Sequence, residues 1–129
     1  MPWSERSLKE LKGVHPDLVK VCNLALMMAN RVGRDFMIID GVRTREEQLQ
    51  HYKSGASKTM RSRHIHGFAV DFMALFMGKG RWEPIHYKPI GVHFKQAALE
   101  LGIPIIWGGD WKWKDWGHIE LDKKVYPDP

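Results

Sequence analysis

Glycines that end helices and strands punctuate this sequence at Gly33, Gly41, Gly55, Gly102 and Gly108-Gly109, with Pro16 ahead of them and Pro84 and Pro104 among them. Glycine takes left-handed backbone without steric cost, and proline opens helices or marks strand edges because it brings no N–H. These residues therefore mark where elements start and stop along the chain. Its longest apolar stretches, Leu24–Ala29 and Phe72–Met77, fall far short of the roughly 20 residues that cross a bilayer. The N-terminal Met1-Pro2-Trp3-Ser4-Glu5-Arg6 has none of the apolar character of a secretion signal, so folding in a cytoplasm and no membrane anchor are expected. With 129 residues, the expected organisation is one domain over 1–129 without a separate wall-binding domain.

Hydrophobic residues at 43% and charged residues at 27% make a globular composition and exclude a disordered or collagen-like chain. A single cysteine, Cys22, excludes an internal disulfide and any multi-cysteine zinc site, so a metal would be held by His and carboxylates. Twenty Lys+Arg against fifteen Asp+Glu give a net charge of +5, which favours polyanions such as nucleic acid, anionic cell wall or acidic lipid. The basic residues are scattered, however, which suits a solvated surface better than one binding patch.

Local patterns predict the elements. Ser7-Leu8-Lys9-Glu10 reads as a capping box in a short first helix, and Pro16 opens a second. There Leu18, Val21, Ala25, Met28 and Val32 follow helical spacing up to Gly33; this stripe and Met27 are expected in the core, and Cys22 is expected buried rather than nucleophilic. Phe36–Ile39 reads as a buried strand. Thr44-Arg45-Glu46-Glu47 is another capping box, for a helix over Arg45–Ser54, with Arg43 in the turn before it. Residues 55–63 read as a loop feeding a strand Phe68–Ala74, whose Ala69, Asp71 and Met73 share one face. Gly78, Gly80 and Pro84 predict an irregular excursion. Phe94, Ala97, Ala98 and Leu101 form a helix face, Ile103–Trp107 a short edge strand, and His118–Leu121 a last strand with His118 and Glu120 on one face. The expected fold class is α+β, a small antiparallel sheet covered by helices on one side.

The stretch Ser62-Arg63-His64-Ile65-His66-Gly67-Phe68-Ala69-Val70-Asp71 carries the chemistry. A histidine before a strand, an aspartate on its face and His118 from another strand supply three protein ligands with one position left open. Two neutral imidazoles and one carboxylate would leave Zn²⁺ with residual positive charge, which acidifies bound water and polarises a carbonyl. Any one of these residues alone is more often a structural His or a surface Asp; their joint occurrence is what counts. The pattern Ser-x-His-x-x-Gly-x-Ala-x-Asp resembles the zinc-binding signature of the D-Ala-D-Ala carboxypeptidase-like metallopeptidases, whose fold is the hedgehog/DD-peptidase type. By chance, five fixed residue types in ten recur in fewer than about one chain in ten thousand of this length.

Two further elements, Asp40-Gly41-Val42-Arg43-Thr44 with Gln48, and Asp115-Trp116-Gly117-His118-Ile119-Glu120, resemble the family's strand-turn-Arg element and its terminal acidic-x-x-His element. The resemblance implies His64, Asp71 and His118 as zinc ligands and Asp115 as general base. It also implies Arg43 as a cationic group near the substrate carbonyl or a carboxylate, and Ser62 as a substrate contact. Glu120 stands as the alternative base or as a partner of a ligand. The bacterial carboxypeptidases and dipeptidases generally carry Glu at the position of Asp115. Phage lytic enzymes similar to this family, which cleave the L-alanyl-D-glutamate bond of peptidoglycan stem peptides, can use Asp there, and their Gly-Gly-Asp-Trp-Lys resembles Gly108–Lys112.

The preferred expectation is therefore an endolysin with Zn²⁺ as cofactor and peptidoglycan as substrate, acting as a monomer. It would accumulate in the host cytoplasm and reach the periplasm and cell wall through a separate membrane-permeabilising protein. Two alternatives remain open: a bacterial D-Ala-D-Ala dipeptidase or carboxypeptidase, and a non-catalytic basic zinc-binding module for wall or nucleic acid. Nucleic acid is not the expected partner. Trp107, Trp111, Trp113 and Trp116 read as packing or rim around the site, and His66 as a possible substrate contact.

Overall fold

The computed structural model of the chain describes residues 3–57 and 62–129. In chain order these form α1 (Glu5–Leu11), α2 (Pro16–Arg31), β1 (Asp35–Asp40), α3 (Arg45–Lys53), a 3-10 turn Arg63–His66, β2 (Ala69–Phe76), β3 (Lys79–Arg81), α4 (Pro84–Leu101), β4 (Ile105–Trp107), a 3-10 turn Gly108–Asp110 and β5 (His118–Leu121). All strand pairings are antiparallel, in the order β1-β2-β5-β4. Along its second edge the central β2 is shared: Ala69–Asp71 pair with β5, and Ala74–Phe76 pair with β3.

The sheet has two different faces because side chains alternate along a strand. Phe36, Ile38, Val70, Phe72, Ala74, Ile119 and Leu121 are buried and join Leu18, Val21, Cys22, Ala25 and Leu26 of α2 and Ile90, Phe94 and Ala97 of α4 in one core. At its centre the rings of Phe36, Phe72 and Phe94 lie 5.1–5.5 Å apart. Asp71, His118 and Glu120 point from the opposite face. The edge of β1 is covered by α1, whose buried Ser7 hydroxyl accepts the Ile38 N–H at 3.0 Å and so closes a strand edge that would otherwise be open to pairing.

Several expectations are met. Pro16 opens α2, and the Thr44/Glu47 capping box is present in both directions. Cys22 is fully buried, and burial pushes its thiol up to about 12, which leaves it inert. Others need correction. The cap of α1 is Ser4, whose hydroxyl accepts from Ser7 N–H; Ser7 serves the sheet instead. Met27 and Val32 are 50% and 58% exposed, because the core stripe of α2 runs through Cys22, Leu26 and Ala29. The excursion around Gly78 is a hairpin: Met77 and Gly78 turn the chain with positive φ, and β3 pairs back onto β2. Helix α4 then starts at Pro84, well before Phe94. Of the expected loop over 55–63, residues 58–61 lie outside the described residues.

Phe72 is the hinge between core and site, since its neighbour Asp71 points the other way. Phe72→Ala should destabilise the fold by about 3–5 kcal/mol through the cavity it leaves. Denaturant unfolding checks this, and a loss under 1 kcal/mol would contradict the packing described.

Candidate metal centre

Register brings the site together. Asp71 stands directly opposite His118 across β2 and β5, and a bulge between Ile38 and Asp40 sets Asp40 opposite Asp71 on the other side. His64 arrives from the 3-10 turn, which Ser62 caps by accepting the His64 N–H at 3.2 Å. Gly67 ends that turn with φ 74, and a Cβ there would lie 2.6 Å from the Gly13 carbonyl oxygen. Only glycine meets both demands, which accounts for its place three residues after His64.

One ligand atom each from His64, Asp71 and His118 lies within 4.8 Å of the others. His64 Nε2 is 3.4 Å from Asp71 Oδ2, and His118 Nδ1 is 3.1 Å from Asp71 Oδ1. The remaining ring nitrogens are fixed from behind. His64 Nδ1 donates to the Gly41 carbonyl at 2.8 Å, and His118 Nε2 donates to Glu120 Oε1 at 2.8 Å. Each histidine therefore turns its other nitrogen toward Asp71, the arrangement that orients metal ligands.

Charges alternate outward from this point. Arg43 donates through Nε to Asp40 at 2.8 Å, through Nη1 to Gln48 at 2.9 Å and through Nη2 to Asp71 at 3.2 Å. On the far side, Arg63 lies 3.6 Å from Glu120, donates to the Leu121 carbonyl at 2.8 Å and pairs with Asp128 at 2.6 Å. Burial works against charge on Asp71, but hydrogen bonds from His118 and His64 outweigh it and hold the carboxyl well below the usual carboxylate range. Burial likewise opposes charge on His118, yet hydrogen bonds to Asp71 and Glu120 push it up to about 9.

Asp115 belongs to the loop between β4 and β5. Its carboxylate is 56% exposed, with Oδ2 4.0 Å from His118 Nδ1. Burial of its inner side and the negative charge of Asp71 raise its pKa. The loop is closed at its base by Gly108, whose carbonyl accepts the Asp115 N–H at 3.0 Å. A Cβ on Gly108 would collide with the Asp115 carbonyl oxygen and crowd the Cβ atoms of Asp115 and His118. All six residues singled out in the sequence, Arg43, Ser62, His64, Asp71, Asp115 and His118, line one open groove of ≈1420 Å³.

Some placements differ from what the residue types alone suggest. Arg43 is buried with every guanidinium nitrogen engaged, so it faces Asp71 more than the groove. Glu120 is buried behind His118 rather than beside Asp115. His66 is exposed against Phe68. Trp107 is buried, while Trp111 sits over the His118 ring at 5.1 Å and lines the groove. Arg63 and the Gly41 carbonyl were not singled out; Arg63 occupied a variable position of the motif, and a backbone acceptor leaves no signal in sequence.

Glu120→Gln keeps the shape but weakens the acceptor behind His118, so metal affinity should fall by about 10- to 100-fold with the fold intact. Competition with a chromophoric chelator measures this. Unchanged affinity would remove Glu120 from the support of the site.

Comparison with known proteins agrees with this geometry. The family described as Phage L-alanyl-D-glutamate peptidase matches residues 1–129. The L-alanyl-D-glutamate peptidase of Escherichia phage T5 is 33% identical over 128 residues, covering 96% of this chain and 91% of that protein. The crystal structure of the Serratia marcescens L-Ala D-Glu endopeptidase ChiX superposes with a TM-score of 0.90 at 40% identity, over 99% of this chain and 95% of that one. The vancomycin-resistance D,D-dipeptidase VanXYg shares the fold, with a TM-score of 0.53 at 18% identity over 84% of this chain and 50% of that one. Fold, groove and sequence thus converge, and the chain belongs to the phage L-alanyl-D-glutamate peptidase family.

Proposed function

We propose that this chain is a zinc endopeptidase that hydrolyses the L-alanyl-D-glutamate bond of peptidoglycan stem peptides and lyses the bacterial host. The observation that carries the reading is the convergence of His64, Asp71 and His118 in one groove, each histidine tied down through its other nitrogen. The donor set suits zinc: two imidazoles and a carboxylate are a set that catalytic zinc sites use, and Cys22 is buried away in the core. His64 through Nε2, Asp71 through its carboxylate and His118 through Nδ1 would hold the ion. Zinc bound there supplies positive charge that acidifies water and polarises the scissile carbonyl.

The other residues divide the remaining work. Asp115, half-exposed in the groove and with a raised affinity for protons, accepts a proton from the attacking water and returns it to the departing amine. Arg43 holds Asp71 in place and offsets its charge, so its effect on substrate passes through that ligand. Ser62 fixes the turn bearing His64 and keeps its own hydroxyl proton for a groove contact. The 129 residues act as one catalytic domain and as a monomer, with no role for nucleic acid. The enzyme accumulates in the host cytoplasm and meets the periplasm and wall after a separate protein permeabilises the membrane. Among the described residues no helix is long and apolar enough to cross a membrane itself.

Mass spectrometry of fragments released from purified peptidoglycan tests the reading. Peptides with a new N-terminal D-glutamate should appear with zinc and vanish on chelation or in His64→Ala. Release of D-alanine or its dipeptide would instead indicate D-Ala-D-Ala cleavage. Asp115→Asn should retain zinc and lower kcat by about 100- to 10,000-fold, as expected for loss of a general base; full activity would transfer the proton to another group.

A further inference from the structure

Cleavage beside D-glutamate poses a charge problem at this site. Glutamate carries two carboxyl groups, and a peptide that continues through one of them leaves the other as a free carboxylate close to the scissile amide. Asp71 is already met by Arg43 and the two histidines, but Asp115 faces the groove as a carboxylate, and placing a second anion near it is unfavourable unless a further cation meets it.

Five Arg and Lys side chains among the described residues line the groove: Arg43, Arg63, Lys114, Lys123 and Lys124. Arg43 is committed to Asp40, Gln48 and Asp71, and Arg63 to Asp128, the Leu121 carbonyl and the vicinity of Glu120. The three lysines make no ion pair among the described residues. Of these three, only Lys114 also lines the adjoining pocket of ≈350 Å³, together with Asp71, Asp115, Trp82, Tyr87 and Trp116. Lys114 therefore stands at the seam of the two cavities, next in sequence to Asp115. Its Nζ lies 5.8 Å from the centre of the Trp116 ring, a contact that steadies the side chain and leaves all its N–H donors available. Lys88 approaches the same ring at 5.6 Å but lines neither cavity.

We infer that Lys114 binds the free carboxylate of the D-glutamyl residue and so selects an acidic residue on the leaving side of the scissile bond. The inference rests on the bond assignment proposed above and adds the residue that reads it. It also gives the Gly108–Asp115 loop two tasks, with Asp115 moving the proton and Lys114 reading charge beside it.

Two synthetic stem peptides that differ only at this carboxyl, one a free acid and one its primary amide, provide the test. Unaltered enzyme should prefer the acid by about 10- to 100-fold in kcat/KM, the worth of one charged hydrogen bond. Lys114→Ala should lose that factor on the acid and leave the amide nearly unchanged, while Lys114→Arg and the groove control Lys124→Ala keep the preference. The D-glutamyl product should inhibit competitively, and its inhibition constant should rise by the same factor in Lys114→Ala. Equal loss on both peptides, or no acid preference in the unaltered enzyme, overturns the inference while the bond assignment stands. Failure of the unaltered enzyme to cut either peptide overturns the bond assignment itself.

Discussion

The pairing of Asp71 with His118 across β2 and β5 is the constraint on which the rest of the structure depends. It places a carboxylate and an imidazole on the same face of adjacent strands, with Phe72 and Ile119 on the other face securing the register in the core. Because side chains alternate, a slip of one residue would move the aromatic into the groove and the carboxylate into the hydrocarbon core. The energy of burying Phe36, Phe72 and Phe94 therefore also fixes the site. Folding therefore places Asp71 and His118 side by side as it forms the core.

Around that pair the charges form an alternating line: Arg43 on Asp71, Asp71 on His118, His118 on Glu120, Glu120 beside Arg63, and Arg63 on Asp128. Burying any one of these alone would cost several kcal/mol, and alternation of sign offsets much of that cost. Removing one member leaves its neighbour as an uncompensated buried charge, so loss of Arg43 acts on Asp71 directly and loss of Arg63 acts on His118 through Glu120. Among the described residues Arg63 Nε has no hydrogen-bond partner, and its charge is met by Glu120 and by the Phe68 ring 4.7 Å away. Orientation of His118 thus extends through Glu120 to the residue just before His64, which couples the two ends of the site.

Much of the fold was legible because its signals are local. The capping box at Thr44, the proline at the start of α2 and the alternation in β2 and β5 each fix geometry within a few residues, and each appears where the sequence placed it. The misses share a different cause. Ser7 resembled a cap, but tertiary contact with the free edge of β1 claimed its hydroxyl. Val32 fitted a helical stripe in sequence, yet the orientation of α2 against α4 decided which stripe faced inward. The hairpin at Met77-Gly78 lacked the usual Asn-Gly signal, and so β3 was hidden. At the site, residue types in a motif indicated which side chains converge. Which of them face substrate and which face one another was not legible, because Arg43 and Glu120 are defined by partners distant in sequence.

The loop that carries Asp115 is anchored from below by Trp107. That ring is packed against Gly91 of α4 and Gly109, where any added Cβ would strike it, and its Nε1–H donates to the Trp116 carbonyl at 2.8 Å. The segment therefore has a clamped root and a solvent-facing tip at Trp111–Lys114. Substitutions in the tip leave that root intact, whereas change at the root displaces Asp115 and the tip together. Of these four residues Trp111 is tied to the site through the His118 ring 5.1 Å away, which leaves Lys112–Lys114 as the part of the loop freest to change.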